Sequence, residues 1–265
     1  MNKNNEHSGT PVKVTKDGST TLYSKRFDQY YHNPNGAVAE SRHVFFETPG
    51  LPDFLTENKV INILEVGFGS GLNLILLMDY LKKTNHPVKA NFYSIEAFPV
   101  NSETAMQLNF GDELSYLKPN ERLKEIFRKL QPGQNIFSLN EHININLFVS
   151  LFDDLTDHDF ESVEPIDFIF HDAFSPDVNP DLWQPNVFEK LKALCRPDAV
   201  LSTYCAASSA RAAMAVAGWY PARAKGAVGK REMTVASTSQ EKLKPFKKMN
   251  HERLTERYRR GDFDE

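Results

Sequence analysis

The sequence predicts an α/β fold: a mainly parallel sheet, helices on both faces, and an antiparallel hairpin at the C-terminal edge. Three observations predict it. Short apolar runs of strand length alternate with helical segments through the middle of the chain. Three glycines, Gly67, Gly69 and Gly71, separate the first apolar run from the first apolar helix. Two β-prone runs near the end, Trp219–Arg223 and Glu232–Ala236, flank Lys225–Lys230 with no helix between them, which only an antiparallel pair allows.

The elements follow in order. Val12–Val14 and Thr20–Tyr23 flank Lys16-Asp17-Gly18-Ser19, a hairpin signal outside the main sheet. The next stretch, to about residue 50, mixes aromatics, His and charge. It reads equally as a cap over the sheet or as part of a substrate pocket. Val60–Val66 is an apolar run suited to a buried parallel strand, and Leu72–Leu77 crowd the start of the helix after it. Lys89–Ile95 is a second strand; Ser102 caps a short helix with Glu103 in its first turn. Asn120–Leu130 is an amphipathic helix ended by Pro132-Gly133. Asn144–Phe152 and Ile166–His171 are strands, Pro185–Leu194 a helix broken by Arg196-Pro197-Asp198, Ala199–Tyr204 a strand, and Ala207–Ala217 a helix stopped by Gly218.

With 265 residues, 40% hydrophobic and 25% charged, the chain can bury a sizeable core. No apolar run reaches eighteen residues, so no membrane span is expected. The opening MNKNNEHSGTP lacks an apolar signal segment. Cys195 and Cys205 fit a reducing, cytoplasmic setting and read as buried small residues without metal-ligand spacing. The net charge of −4 hides an asymmetry: Ser150–Asp181 carries ten acidic and no basic residues, whereas Arg223–Arg260 carries twelve basic against four acidic. The basic stretch points to a polyanionic partner.

Strand, glycine turn and helix at Ile63–Leu77 form a nucleotide-binding corner. Glycine there tolerates positive φ and lets a ligand approach the backbone. Glu96 lies at the end of the second strand, where an acid can accept hydrogen bonds from ribose hydroxyls. Asp153 and Asp154, after the third strand, compete for an adenine amino group. The richest stretch is HDAFSPDVNPDLWQP, His171–Pro185. Open α/β sheets bind ligands at the C-terminal ends of their strands, so Asp172 should stand at the pocket edge. A strand-end carboxylate beside an aromatic, proline-bearing loop suits an amine acceptor, which it orients and whose proton it takes. Phe174 can shield or stack on the acceptor. His171 reads as a satisfied strand-end histidine rather than a base. No G-x-S-x-G occurs, and nothing pairs Ser175 with a histidine.

GFGSGLN, DAFSPDVNPDLW, GKREM and the early ESRHVF, in this order, resemble the methyltransferase module of the MnmC type. The resemblance runs from about Leu22 to Ala236. It implies a Rossmann-like class I S-adenosylmethionine-dependent fold in residues 51–237, with a hairpin and capping segment at 1–50 and a basic tail at 238–265. It implies methyl transfer to the aminomethyl group of the wobble uridine of tRNA, giving 5-methylaminomethyluridine, often on a 2-thiouridine. The tRNA would be engaged at its anticodon region, with no obligatory protein partner. By resemblance Gly67, Gly69, Gly71 and Glu96 fall on the cofactor pocket, with Glu65 and Asn73 on either side of the glycines assigned to it too. Asp172 falls on the catalytic acid and also touches the cofactor. Glu40, Ser41, Lys230 and Arg231 match motifs on the substrate side, where Tyr23 and Phe174 are also assigned. The stretch SLFDD departs from the Gly-Asp pair common in the family, which leaves the adenine contact open between Asp153 and Asp154; no second glycine motif follows Ala236, so no flavin is expected, and with no metal-ligand spacing no metal is expected either.

Other readings compete. A class I methyltransferase of a small molecule or protein would not need the basic tail. A non-catalytic nucleotide- or RNA-binding module would not need DAFSPDVNP intact. A dehydrogenase would continue with further parallel units instead of a hairpin.

Overall fold

A computed structural model of the chain describes residues 12–263. Residues 1–11, on which the expectation of no signal segment rests, lie outside the described residues.

β1 (Val12–Val14) and β2 (Thr20–Ser24) form the expected hairpin, and β3 (Gln29–Tyr30) extends it to three antiparallel strands. Asp17 builds the turn. Its carboxylate accepts from Thr15 Oγ1 at 2.6 Å and from the Ser19 amide at 3.1 Å. It also accepts from the Ala39 amide at 3.1 Å, tying the hairpin to α1 (Ala37–Ser41). A π-helical turn (Arg42–Glu47) and α2 (Leu51–Glu57) then lead into the main sheet.

The rest of the chain runs β4 (Val60–Val66), α3 (Leu72–Lys82), β5 (Lys89–Ile95), α4 (Ser102–Ala105), α5 (Pro119–Lys129), β6 (Gly133–Asn140), β7 (Ile143–Val149), β8 (Ile166–His171), α6 (Pro185–Ala193), β9 (Cys195–Thr203), α7 (Ser208–Val216), β10 (Tyr220–Lys225), β11 (Glu232–Ser237), β12 (Lys247–Lys248) and α8 (His251–Arg259). Nine strands form one sheet in the order β12-β10-β11-β9-β8-β4-β5-β7-β6. The five central strands, β9 to β7, are parallel. The flanking pairs are antiparallel.

Side-chain alternation along the central strands splits the core into two layers. Ile63, Phe92, Ile145 and Phe168 pack with Leu74, Ile75 and Phe46 on one face. Leu64, Tyr93, Phe148 and Ile169 pack with Phe188, Met214 and Trp219 on the other. Both faces are therefore covered, as a parallel sheet requires. Leu22, Val38 and Phe45 belong to the first layer, so the N-terminal segment is packed into the core. At the other end, Leu254 of α8 packs on Ala212 and Ala215 of α7, seating the basic segment on the domain.

Three expectations need correction, and one strand has no counterpart in the sequence reading. β6 occupies residues to which the sequence assigns no element; its apolar residues do not alternate cleanly, and Ile136 is exposed, so no strand pattern announces it. Arg196-Pro197-Asp198 lies inside β9, where the register with β8 shifts between Ile166 and Phe168 and the irregularity accommodates the proline. Asn101, whose side chain accepts from the Thr104 amide at 2.7 Å, caps α4 in place of Ser102. Cys205 is buried but Cys195 only partly so; both are free thiols. Among the described residues no helix is long and apolar enough to cross a membrane.

Arg211 ties α7 to the antiparallel edge. Its buried guanidinium donates to Thr234 Oγ1 at 2.9 Å, to the Met233 carbonyl at 3.1 Å and to Glu232 at 3.3 Å. Arg211→Ala should lower the unfolding free energy by about 2–3 kcal/mol, the scale of buried charge-assisted hydrogen bonds. Urea denaturation checks this as a lower midpoint with an unchanged slope.

Candidate active site

The C-terminal ends of β4, β5, β7 and β8 open into one cavity of about 580 Å³. Gly67 leaves β4 at φ +97°, and a Cβ there would stand 2.8 Å from the backbone oxygen of Asp172. Only glycine lets the two loops pass so closely. Gly69 follows at φ +52°, with the Tyr31 ring 3.1 Å from where its Cβ would be. Both glycines line the cavity. Gly71 does not; it sits behind, as the N-cap of α3.

Glu96 also lines the cavity. Its carboxylate accepts from the Gly69 amide at 2.9 Å and the Phe98 amide at 2.7 Å, so it fixes the glycine turn while facing the space beside it. Asp153 reaches the cavity from the short turn Phe152–Asp154; Asp154, in the same turn, does not line it.

Asn73, in the first turn of α3, is the hub of the floor. Its Nδ2 donates to Glu65 Oε1 at 2.9 Å and to Asp172 Oδ2 at 3.0 Å. Glu65 lies beneath the cavity, buried, and takes a further bond from Ser94 Oγ at 2.8 Å. Among the described residues the buried Asn73 Oδ1 has no hydrogen-bond partner. Burial pushes the Glu65 carboxyl up to about 8, against the pull of the Asn73 and Ser94 bonds. Burial raises Asp172 well above the usual carboxylate range; the negative neighbours Glu65 and Glu40 add to this, and Asn73 and Lys230 oppose it.

The mouth is aromatic. Phe174, two residues past Asp172, stacks on Phe27 at 4.5 Å and meets Tyr31 edge-on at 5.1 Å. Ser175 donates through its amide and hydroxyl to Gln29 Oε1. The N-terminal segment thus grips the loop after β8 and supplies a wall, so it is both cap and pocket. Phe27, Gln29, Tyr31 and His32 were not singled out from the sequence; the aromatic-rich composition of their segment was the available signal. His32 contacts Ser70 Oγ through Nε2 at 3.2 Å, and desolvation lowers it to about 4.

Glu40 is buried, ion-pairs with Lys230 at 2.8 Å, and lines the cavity with Ser41. Lys230 also sits 4.4 Å above the Tyr204 ring, whose hydroxyl donates to the Ala173 carbonyl at 2.8 Å. The adjoining Val228 holds φ at +43°, a strained setting for a β-branched residue. Two expected substrate residues stand outside the cavity lining. Tyr23 bonds Asp28 and packs edge-on against Tyr30, and Arg231 lines a neighbouring groove. His171 departs from expectation as well. It is fully buried between Trp183 and Phe188, neither ring nitrogen makes a hydrogen bond of ordinary geometry, and burial lowers it to about 3. It is a packing group and not a base.

With this geometry in place, comparison with known proteins is informative. A family model described as S-adenosyl-L-methionine-dependent methyltransferase matches residues 115–239. The bifunctional tRNA 5-methylaminomethyl-2-thiouridine biosynthesis protein MnmC of Leptospira borgpetersenii is 33% identical over 225 residues, 83% of this chain and 34% of that protein. Its counterpart in Cupriavidus metallidurans is 32% identical over 233 residues, 85% of this chain and 34% of that protein. The crystal structure of MnmC2 from Aquifex aeolicus superposes with a TM-score of 0.67 at 26% identity, covering 95% of this chain and 82% of that one. The chain belongs to the MnmC-type methyltransferase family. It spans about a third of the length of the curated relatives it matches.

The residues present fit the cofactor this family implies. The glycine turn leaves room a side chain would fill, Glu96 faces the space beside it, and the orphaned Asn73 Oδ1 is an acceptor suited to an ammonium group. Among the described residues no cluster of three or more His, Cys, Asp or Glu could hold a metal ion.

Gly69→Val should abolish binding of S-adenosylmethionine, because a branched side chain at this φ meets Tyr31 and fills the approach to the turn. Calorimetric titration checks it, with NAD as a ligand that neither protein should bind.

The buried carboxyls also predict a pH dependence of stability. Glu65 and Asp172 have raised values, so they bind more protons folded than unfolded. The Glu65 contribution is complete in acid and is lost as pH rises through about 8; Asp172 acts in the same sense. His32 and His171 have lowered values and act in the opposite sense, but only below their ordinary value of 6.5. Above that point the carboxyls alone act, so the melting temperature should fall between pH 6.5 and about 8. Glu65→Gln should flatten that slope in thermal scans.

Proposed function

We propose that this chain transfers a methyl group from S-adenosylmethionine to the aminomethyl nitrogen at position 5 of the wobble uridine in the anticodon region of tRNA, in a cytoplasmic setting. The observation that carries the reading is the single cavity that joins the nucleoside corner at Gly67, Gly69 and Glu96 to Asp172 beneath an aromatic mouth. The family relationship supplies the substrate class. Free cysteines are in keeping with the compartment.

In this reading Gly67, Gly69, Asn73, Glu96 and Asp153 hold the methyl donor. When bound, S-adenosylmethionine supplies a methyl group already activated by its positive sulfur, and a thioether remains once the amine nitrogen has taken that methyl. The protein's own task is alignment and proton management. A primary amine is largely protonated near neutral pH and cannot attack in that form. The positive charge of the ammonium favours the ionised form of Asp172, which orients the group and takes its proton. A carboxyl whose proton affinity is raised by burial and by Glu65 is a better acceptor than an ordinary one. Asn73, bonded to Asp172 Oδ2, fixes the carboxylate and keeps the second oxygen for the amine. Phe27, Tyr31 and Phe174 exclude water and present rings to the uracil. Glu40 and Ser41 line the substrate side, and Lys230 marks its outer limit.

Asp172→Asn keeps the shape and one acceptor but loses the base. It should cut single-turnover methylation of precursor tRNA by roughly 10²-fold or more, the usual scale for a positioned acid–base group. Donor affinity should remain within a few-fold. Near-normal transfer, or a loss traced wholly to weak donor binding, removes Asp172 from this role.

A further inference from the structure

The cavity is not isolated on the surface. Tyr204 and Lys230 line both the cavity and an adjoining groove that also holds Arg231. Arg223 at the far side of that groove lines a further cleft of about 370 Å³ as well. That cleft contains Lys247, Lys248, Arg253 and Arg257 and no carboxylate. The fold assembles this group from separate segments. β12 pairs with β10 and sets Lys247 directly opposite Arg223. Arg253 and Arg257 are one helical turn apart in α8, held down by Leu254 on α7.

Three of these cations have partners: Lys230 pairs with Glu40 at 2.8 Å, Arg223 with Glu232 at 3.4 Å and Arg257 with Asp262 at 3.0 Å. Among the described residues Lys247, Lys248 and Arg253 enter no ion pair, and all three are exposed. The chain carries a net charge of −4, so overall charge would repel a polyanion. Attraction must be local, and this strip is where the cations gather. The cleft lining has no aromatic side chain on which a base could stack, so its chemistry suits phosphates and not bases.

We infer that the strip from Lys230 through Arg223 to Lys247, Lys248 and Arg253 is the track for the sugar–phosphate backbone of the tRNA beside the nucleotide whose base enters the cavity. The inference rests on the proposed function for its choice of RNA. The cavity reads one nucleoside; the strip supplies the sequence-independent grip that a single nucleoside cannot give.

The test compares the wild type with the triple variant Lys247→Ala, Lys248→Ala, Arg253→Ala. Affinity for an unmodified tRNA transcript is measured across a salt series, beside donor titration and thermal melting. The variant should bind tRNA at least about tenfold more weakly at low salt. The slope of log affinity against log salt should fall by about 2, near the ~0.7 per contact expected for single-stranded regions. Donor affinity and melting temperature should be unchanged, and Lys247→Arg, Lys248→Arg should bind as the wild type does. Equal affinity and slope in the triple variant overturn the track. So does a variant that loses only its binding to phosphatidylserine vesicles, which would reassign the strip to an anionic lipid surface. Methyl transfer is scored separately. Wild-type tRNA binding that depends on the strip without methylation of aminomethyluridine would leave the track and remove the proposed activity. Wild-type KM for tRNA in the triple variant would do the reverse.

Discussion

The site depends on how close two neighbouring parallel strands can release their loops. β4 and β8 are hydrogen-bonded neighbours, and the Asp172 amide still donates to the Val66 carbonyl at 3.0 Å. One residue later the chains part, and at Gly67 there is no room for a Cβ between them. That contact places the glycine turn and the Asp172 carboxyl on the same cavity floor. Asn73 then couples them chemically, since both protons of its amide go to carboxyls from different strands. A buried acid pair held by one amide is a costly arrangement for stability. In the proposed function a cationic ligand offsets that cost.

The legible parts of the fold were those set by local pattern. The apolar runs at Val60–Val66, Lys89–Ile95 and Ile166–His171 became the central strands with the same boundaries, because burial on both faces demands continuous apolar sequence. β6 was not legible: as an edge strand it is paired by its backbone to β7, and its side chains need no pattern. The capping of α4 turned on one neighbouring residue, a distinction that only side-chain geometry makes.

The candidate site divides along the same line. Gly67, Gly69, Glu96 and Asp172 sit on strand ends, where topology alone indicates a ligand, and all line the cavity. Glu65 and Gly71 share their strand and turn but stand behind the lining, because side chains alternate in a strand and the turn has an inner and an outer side. Phe27, Gln29 and Tyr31 lie in and around the two-residue strand β3, more than 140 residues from the loop they touch; Gln29 and Ser175 are 146 positions apart. No local period encodes such a contact. His171 looked like a polar strand end, yet the aromatic rings of Trp183 and Phe188 enclose it.

That long separation has a consequence for the order in which the chain comes together. Phe27 and Gln29 are made long before their partners Phe174 and Ser175, which emerge only after the four central strands preceding them. Contacts so distant in sequence form late, since their loop-closure entropy is offset only once the intervening sheet exists. The nucleoside corner between β4 and β5 can therefore take shape while the aromatic wall is still unattached. Closing the wall is the step that turns a folded sheet into a finished site, and it joins a segment made before the main sheet to a loop made well into it.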